Sequence, residues 1–301
     1  MSHLTMRGIA RKGNRLMNKQ QFDALVALEE AKRTGCGAPC VDSTVLPDLQ
    51  EQGLVIDGAI TDAGVSALEP YRAKRAVFFA AGFGSRLLPI TMNTPKPLIR
   101  VNGKRIIQRL IDAVRAAGID EIYVVRGYLP REFDALKQEN PGIHFIENPL
   151  FESTNNISSA IAAADFIRDA YVFESDLLLR NPQLITRYQY ATNYIGVPVK
   201  HTDDWCLTVK DGRATHIAKG GDDCYHMFGI SYWTAADGEC LADRMKKVFA
   251  QDDGKQIFWD DVALNWYPND FNVRVRACTF DDVCEIDTFA ELQEIDKAYR
   301  V

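Results

Sequence analysis

A chain of 301 residues, of which 47% are hydrophobic, can bury a full core and has room for one large domain and a small one. The net charge of -6 argues against a general polyanion-binding protein, so any anion has to be recognised locally. The sequence contains no apolar run of about 18 residues, and its N-terminus lacks the apolar stretch of a secretory signal. We therefore expect no membrane insertion and a cytoplasmic location.

The N-terminal part of the chain has the pattern of a basic arm followed by a small domain. The first 19 residues contain five basic residues and no acidic one, and we expect residues 1–17 to be flexible. In residues 18–72 the pattern predicts a helix that begins at Asn18, a second short helix, a hairpin around Asp57-Gly58 and a last helix. This order of elements resembles a winged-helix domain.

The functional interpretation of a winged helix is DNA binding, and the charge of this segment argues against it. Residues 18–75 contain six basic and nine acidic side chains. The expected recognition helix itself contains Asp48 and Glu51, which DNA phosphates would repel. We therefore expect no nucleic-acid partner, and we favour docking or dimerisation, as in a homodimer, as the role of this domain.

Strands and helices alternate from residue 73 onward, and we assign residues 73–301 to one large domain. Its first strand, from Ala76 to Ala80, is wholly apolar, as buried parallel strands are. The elements expected after it are helix 106–117, strand 121–125, helix 131–137, strand 144–146, helix 157–167 and strand 170–173. This alternation predicts an α/β fold with right-handed crossovers and a doubly wound, mainly parallel, Rossmann-like sheet.

Beyond Arg180 the expected strands lie closer together, at residues 194–199, 205–209 and 228–233. Strands at this spacing are joined by loops rather than by helices, which predicts an antiparallel or mixed extension of the sheet. We expect this extension to lie over the ligand crevice and to supply part of the substrate site.

A glycine-rich segment, Gly82-Phe83-Gly84, directly follows the first strand of the large domain. A loop in this position lies at the carboxyl edge of the sheet, where its backbone N–H groups can surround phosphates. Its spacing is neither that of a Rossmann dinucleotide loop nor that of a P-loop. Two cations follow, because Arg86 lies in the same loop and Lys96 stands between two prolines that stiffen its backbone.

These segments together resemble the signature of nucleotidyltransferases that join a nucleoside triphosphate to a phosphorylated metabolite. The signature is Ala80 to Arg86, then Thr94 to Leu98, then Val101 to Lys104, and the resemblance extends from about Lys74 to the C-terminus. Within that superfamily the chain is similar to the bacterial CTP:phosphocholine cytidylyltransferases of the choline-incorporation type. The blocks that carry this similarity are Gly127-Tyr128-Leu129, Asn155 to Ser159, Glu174-Ser175-Asp176, Gly229 to Trp233, Trp259-Asp260-Asp261 and Glu285 to Thr288.

The resemblance implies a set of nucleotide-binding residues. They are Ala80, Ala81, Gly82, Phe83, Gly84, Ser85, Arg86, Gly127, Tyr128, Asn155, Asn156, Ser159 and Glu174. Asparagine suits a base or ribose edge because its side chain offers a donor and an acceptor. Helix capping is the alternative for Asn155 or Asn156, since a helix is expected to begin at Ile157.

Acidic residues at strand ends predict a metal site. Asp176 ends the fourth expected strand, where its carboxylate would repel a triphosphate unless a cation stood between them, so we interpret it as a Mg²⁺ ligand. Asp287 ends a later strand-like segment and is the natural second ligand, and Glu285 alternates to the same face. Capping of the next helix is the alternative for Asp287.

Aromatic residues next to acids predict the acceptor site. A quaternary ammonium group forms no ordinary hydrogen bonds, so proteins hold it against ring faces, often with a carboxylate nearby. Trp205 follows two aspartates and Trp259 precedes Asp260, so we expect these three residues to form a cage. Tyr232 and Trp233 are further candidates, and strand alternation lets only one of them face the ligand. A place in the core is the alternative for each aromatic residue.

The resulting hypothesis is an in-line attack by phosphocholine on the α-phosphorus of CTP, which yields CDP-choline and pyrophosphate. Mg²⁺ is the expected cofactor, and Arg86, Lys96, Asp176 and Asp287 are the expected catalytic residues. One alternative is a sugar-1-phosphate nucleotidyltransferase, which needs hydroxyl-binding groups in place of the tryptophans, and phosphoethanolamine would need less aromatic enclosure. A DNA-binding regulator that senses a nucleotide is an alternative from another class, and the acidic N-terminal domain disfavours it.

Overall fold

The structure is a computed structural model that describes residues 17–35, 37 and 39–300. The chain divides into two compact units, one up to Pro70 and one from Tyr71 onward. The flexible arm expected over residues 1–17 lies outside the described residues, apart from Met17. None of the described helices is both long and apolar enough to cross a membrane.

The first unit contains helices and one small hairpin in the order that the sequence predicts. Its elements are α1 (Lys19–Thr34), α2 (Leu46–Glu51), β1 (Val55–Ile56), β2 (Ala59–Ile60) and α3 (Asp62–Leu68). The Asn18 side chain accepts a hydrogen bond from Gln21 N at the start of α1, and the helix ends at Gly35, whose φ is 69°. Leu25, Leu49 and Leu68 are fully buried and form its interior. The assignment of this unit as a winged helix stays a prediction.

The second unit is built on a seven-stranded sheet. The strands of this unit are β3 (Arg75–Ala80), β4 (Arg100–Val101), β5 (Lys104–Arg105), β6 (Glu121–Arg126), β7 (Ile143–Glu147), β8 (Ala170–Glu174), β9 (Leu177–Leu179), β10 (Asn193–Lys210), β11 (Arg213–Trp233), β12 (Arg274–Ala277) and β13 (Val283–Glu285). Its helices are α4 (Ile106–Ala116), α5 (Asp134–Glu139), α6 (Ile157–Ala162), α7 (Ala235–Phe249), α8 (Trp259–Asp261) and α9 (Phe289–Ile295).

The strand order in this sheet is β10-β12-β11-β8-β3-β6-β7, with β10 also paired to β11. β3 runs parallel to both neighbours, and β7 is parallel to β6. β11 is antiparallel to β8, so the orientation changes at that edge of the parallel part. β9 and β13 form a separate antiparallel pair.

Helices cover both faces of the sheet. Leu110 and Val114 of α4 pack with Phe78 on one face, and Leu241 of α7 packs with Val77 on the other. Alternate residues of the buried strand β3 therefore enter two different cores. The expected doubly wound and mainly parallel α/β sheet is confirmed.

The extension beyond Arg180 differs from the expectation in one respect. The strands expected at 194–199 and 205–209 are a single strand, β10, and it pairs along its length with β11. The register shifts between Thr202 and Trp205, so β10 carries an irregularity where two separate strands were expected. The mixed character of the extension is as predicted, because β10 is parallel to β12 and antiparallel to β11.

Candidate active site

The glycine-rich loop lies at the carboxyl end of β3, beside the end of β8. Gly84 has a φ of +68°, and a Cβ there would stand 3.1 Å from Lys96 Cβ, so the backbone conformation and the packing of Lys96 both require glycine. A Cβ on Gly82 would meet nothing within 4 Å. The loop borders a cavity of about 160 Å³, which we call the phosphate cavity. Its lining residues are Phe79, Ala80, Gly82, Gly84, Arg86, Lys96, Pro97, Glu174, Ser175, Asp176 and Asp287.

The turn after β6 supports this loop. Tyr128 N donates a hydrogen bond to Ala81 O at 3.0 Å, and its hydroxyl donates to Thr91 O at 2.7 Å. The ring of Phe83 packs edge-on against the Tyr128 ring, with 4.6 Å between centroids. A Cβ on Gly127 would lie 2.7 Å from the Phe151 ring, so glycine allows this close approach. The predicted residues Gly127 and Tyr128 therefore lie against the loop and position it.

Two cations of the phosphate cavity contact carboxylates. Lys96 Nζ lies 2.9 Å from Asp176 Oδ2 and 2.9 Å from Asp287 Oδ1, and the lysine is buried. Arg86 Nη1 lies 2.7 Å from Asp287 Oδ2. Burial acts to lower the pKa of Lys96, but the charges of both aspartates outweigh it and raise that pKa. The structure thus brings together the four residues predicted to be catalytic.

The antiparallel pair β9–β13 positions the predicted metal ligands. Glu285 is paired with Leu177, and Ile286 N donates to Asp176 O, so residues far apart in sequence meet at one point. Asp176, Glu285 and Asp287 each place one carboxylate oxygen so that these atoms lie within 4.8 Å of one another. Burial, followed by the charges of Asp176 and Asp287, raises the pKa of Glu285 to about 9.

This acidic group has the chemistry of a site for a hard divalent cation. Asp176 Oδ1 is buried and has no hydrogen-bond partner among the described residues, which leaves an oxygen free to bind a cation. Carboxylate oxygens are the ligands that Mg²⁺ prefers in proteins. The residues present therefore fit such an ion.

A second cavity, of about 390 Å³, adjoins the phosphate cavity, and we call it the acceptor cavity. Arg86, Glu174, Asp176 and Asp287 line both cavities. The other residues that line the acceptor cavity are Asn156, Leu177, Asp204, Trp205, Ile217, Lys219, Met227, Gly229, Phe258, Asp260 and Glu285. Its polar wall is therefore dominated by carboxylates.

Two predicted acceptor residues lie in this cavity. The Trp205 ring packs edge-on against Phe258, with 4.9 Å between centroids. Asp260 is buried and accepts a hydrogen bond from the Tyr194 hydroxyl. Burial raises the pKa of Asp260 to about 7, and the charge of Asp261 adds to this rise.

Three predicted acceptor residues are core residues instead. Tyr232 and Trp233 are 1% and 0% exposed and enter the two opposite cores, as strand alternation requires. Trp259 is 2% exposed, and its Nε1 donates to Glu174 Oε1 at 3.2 Å. For each of the three rings the structure shows the alternative, a place in the core, because each ring is enclosed by other apolar side chains.

The predicted asparagines and Ser159 have different surroundings. Asn156 lines the acceptor cavity and donates to Glu174 Oε1 at 3.1 Å. Asn155 donates to Gln256 O and accepts from Asn156 N, and neither it nor Ser159 lines a described cavity. Ser159 is buried and accepts from Asn148 Nδ2. These hydrogen bonds stabilise the start of α6, and the assignment of both residues to nucleotide binding stays a prediction.

Sequence reasoning missed several residues of the acceptor cavity. Lys219 and Met227 belong to β11 and line the cavity because that strand passes beside it. Asp204, one of the two aspartates noted before Trp205, lines it as well. Phe258 immediately precedes Trp259, and the aromatic ring next to a predicted ligand was a signal available in the sequence. The pairing of Trp205 with Lys219 across the strands gave no signal in the sequence.

Burial raises the pKa of Glu174 to about 8, and the charges of Asp176 and Asp260 add to this rise. Glu174 Oε1 accepts hydrogen bonds from Asn156 and Trp259 at the point where the two cavities meet. Glu174 lines the phosphate cavity, and its assignment to nucleotide binding stays a prediction.

Comparison with known proteins places this chain in a family. The model of the MobA-like NTP transferase domain matches residues 76–249. The 2-aminoethylphosphonate cytidylyltransferase of Lancefieldella rimae is 36% identical over 228 residues, which are 74% of this chain and 92% of that protein. The choline-phosphate cytidylyltransferase of Haemophilus influenzae is 28% identical over 223 residues, which are 73% of this chain and 95% of that protein.

A solved structure agrees with these similarities. The CTP:phosphocholine cytidylyltransferase of Streptococcus pneumoniae superimposes with a TM-score of 0.69 at 26% identity, over 76% of this chain and 100% of that one. The prediction of a nucleotidyltransferase is therefore confirmed. The matched family model and these relatives show that the chain belongs to the nucleotidyltransferases with a MobA-like NTP transferase domain and, within them, to the cytidylyltransferase family.

Proposed function

We propose that this protein joins CTP to a small acceptor in which a short chain links a phosphonate or phosphate group to a cationic nitrogen. The first candidate is 2-aminoethylphosphonate. The observation that carries the proposal is that Asp176 and Asp287, with Arg86, line both the phosphate cavity and the acceptor cavity. A transferase of this kind has to bring two phosphorus groups together at one such boundary.

The transfer step is an in-line substitution. A phosphonate or phosphate oxygen of the acceptor forms a bond to the α-phosphorus of CTP, and the bond from that phosphorus to the β-phosphate oxygen breaks. Pyrophosphate leaves with the electron pair of that bond. Lys96 and Arg86 are placed to neutralise its charge once they release the carboxylates that they contact.

Asp176, Glu285 and Asp287 are the residues that would hold Mg²⁺. When bound, this ion supplies positive charge that offsets the negative charge of the phosphate oxygens. The protein's own part is to keep the carboxylates at one point through the β9–β13 pairing and to wrap the phosphates with the loop amides that precede Arg86.

The lining of the acceptor cavity favours a primary ammonium group. Such a group needs hydrogen-bond acceptors, and Glu174, Asp204 and Asp260 supply carboxyl oxygens there. A quaternary ammonium group needs ring faces on several sides, and only Trp205 and Phe258 are aromatic among the residues that line this cavity. The similarity to a 2-aminoethylphosphonate cytidylyltransferase over most of its length supports the same choice.

Phosphocholine is the second candidate, and one observation favours it. The rings of Trp205 and Phe258 contact each other in a lining that also contains Asp260, and ring faces near a carboxylate are the groups that bind an alkylated ammonium. Relatives that carry the name choline-phosphate cytidylyltransferase match at 28% and 26% identity.

A pyrophosphate-release screen tests the proposal. The protein is incubated with Mg²⁺ and each of the four nucleoside triphosphates, against 2-aminoethylphosphonate, phosphoethanolamine, phosphocholine and glucose-1-phosphate. We expect turnover with CTP and the highest kcat/KM with 2-aminoethylphosphonate. A preference for UTP with the sugar phosphate would overturn the proposal, and a preference for phosphocholine would select the second candidate.

A further inference from the structure

Ser175, between Glu174 and Asp176, has an unusual hydroxyl group. The residue is 2% exposed, and its Oγ has no hydrogen-bond partner within the described part of the chain. Buried hydroxyl groups are almost always hydrogen-bonded, because an unpaired one loses its bonds to water and gains nothing in return. An alanine would fill nearly the same space without that loss.

Other buried serines of the same unit follow the general rule. Ser158 is 4% exposed, donates to Asn155 O at 3.1 Å and receives a hydrogen bond from Asn148 Nδ2 at 2.9 Å. Ser159 is equally buried and is bonded to the same amide. The unpaired state of Ser175 is therefore specific to its position and not to buried serines of this fold.

The position of Ser175 indicates what its hydroxyl binds. It lines the phosphate cavity together with Gly82 and Gly84, and it does not line the acceptor cavity. The cations of the phosphate cavity, Lys96 and Arg86, already contact carboxylates. The Ser175 hydroxyl is thus a neutral hydrogen-bond donor that has no acceptor among the described residues. It lies next to Asp176, whose carboxylate on its own repels phosphate.

We propose that Ser175 is a nucleotide-binding residue whose hydroxyl donates a hydrogen bond to a phosphate oxygen of the bound nucleoside triphosphate. The proposal rests on the function proposed above, because it requires a nucleotide in the phosphate cavity. Its acceptor in the complex is an anionic oxygen, and hydrogen bonds to charged groups are stronger than those between neutral groups. The bond to the nucleotide thus offsets the cost of keeping the hydroxyl buried and unpaired in the free protein.

Two variants separate this role from a structural one. Ser175→Ala removes an unpaired hydroxyl, so we expect the melting temperature of the nucleotide-free protein to stay the same or to rise. Ser158→Ala removes a hydroxyl with two partners, so we expect its melting temperature to fall while its CTP affinity stays unchanged. If the melting temperature of Ser175→Ala falls as far as that of Ser158→Ala, the hydroxyl has a structural role and the proposal is overturned.

Calorimetric titrations of cytidine, CMP and CTP then locate the contact. For Ser175→Ala we expect CTP affinity to fall by about tenfold to a hundredfold, the usual effect of one hydrogen bond to a charged group, and cytidine affinity to be unchanged. The loss should persist when EDTA replaces Mg²⁺. A loss seen only with Mg²⁺, or an equal loss for cytidine, would overturn the phosphate contact.

The same titrations distinguish this inference from the proposed function. If the wild type binds CTP but no acceptor is converted, the acceptor assignment fails and the Ser175 result still decides this proposal. If the wild type binds a different nucleoside triphosphate, the cytidylyl assignment fails and the same comparison is made with that nucleotide. If it binds none of the four, both proposals are wrong.

Discussion

The ammonium group of Lys96 lies 2.9 Å from the Asp176 carboxylate, at the point where the carboxylates that would hold a cation converge. The same ammonium contacts Asp287 at 2.9 Å. In the nucleotide-free protein this lysine therefore serves as the counter-ion of the acidic group. A divalent cation that took both carboxylates would meet like charge from the lysine, so the two compete.

Lys96→Met should therefore increase the affinity of the nucleotide-free protein for a divalent cation by about tenfold or more, although it removes a group that we propose to act in catalysis. Titration with Mn²⁺, followed by paramagnetic resonance of the free ion, measures this affinity. Arg86→Met is the matched control, because its side chain is 62% exposed and, among the described residues, forms an ion pair with Asp287 but none with Asp176, and we expect a smaller change. Equal or weaker Mn²⁺ binding in Lys96→Met would contradict the competition.

Asp176→Asn should reduce pyrophosphate release by about a thousandfold or more while the protein stays folded, because it removes a metal-binding charge at the cavity boundary. Pyrophosphate release at saturating Mg²⁺ and the melting temperature are the two measurements. Asp252→Asn, an exposed residue outside both cavities, is the control and should keep wild-type turnover. Retained turnover in Asp176→Asn would refute the assignment of this ligand.

Gly84→Ala should destabilise the protein by about 1–2 kcal/mol, because an L side chain is strained at a φ of +68° and its Cβ would crowd Lys96. Gly82→Ala should leave the free energy of unfolding unchanged, since its Cβ would meet nothing within 4 Å, and it should weaken CTP binding at the loop. Chemical denaturation measures the first effect and calorimetry the second. Equal destabilisation by both substitutions would be inconsistent with this loop conformation.

Two tryptophan substitutions should affect different properties, one the KM for the acceptor and the other the stability of the fold. Trp205→Leu removes a ring from the acceptor cavity, so we expect the KM for the acceptor to rise by about tenfold with a smaller loss of stability than in Trp233→Leu, because Trp205 is only partly buried. Trp233→Leu opens a space in the core, so we expect a loss of about 2–4 kcal/mol of stability with the acceptor KM unchanged. Steady-state kinetics and thermal unfolding of both variants test this, and a KM effect in Trp233→Leu would restore it as an acceptor residue.

Asp260 should make stability depend on pH. Its pKa is about 7 in the folded protein against an ordinary value of 3.8, so between these pH values the folded state holds a proton that the unfolded chain has lost. The stabilising effect of that proton uptake is present at low pH and is lost as the pH rises from about 4 through 7. Asp260→Asn lacks this group, so the melting temperature of the variant minus that of the wild type should increase as the pH rises from 5 to 8. The same difference for Asp252→Asn should stay constant. A pH-independent difference would contradict the raised pKa.

The sequence was sufficient to predict the features that depend on a local hydrophobic pattern or on a short motif. The apolar strand before Gly82 predicted the buried β3, and the order of acids at strand ends predicted the meeting of Asp176 with Asp287. The first follows from the local apolar pattern of the strand, whereas in the fold the second is brought about by the antiparallel pairing of β9 with β13.

The parts that could not be predicted depend on contacts between distant residues. The residue type alone does not tell whether a tryptophan contacts a ligand or lies in the core, because its ring suits both places. Trp259 and Trp205 differ only in the residues that the fold places around them. The position of Lys219 at the acceptor cavity depends on the register of β10 and β11. That register shifts between Thr202 and Trp205, and the hydrophobic pattern of the sequence does not predict the shift. Likewise, the hydrogen bonds of Ser159 are visible only once Asn148 lies next to it.

The hairpin of β10 and β11 supplies part of the lining of the acceptor cavity and none of the carboxylates that meet at Lys96. Asp204, Trp205, Lys219 and Met227 all belong to it, whereas the loop, Lys96 and the acidic group come from other parts of the chain. Under the proposed function, a substitution in the hairpin changes the surroundings of the acceptor and leaves Lys96, Asp176 and Asp287 in place, so acceptor preference can change without loss of the transfer step.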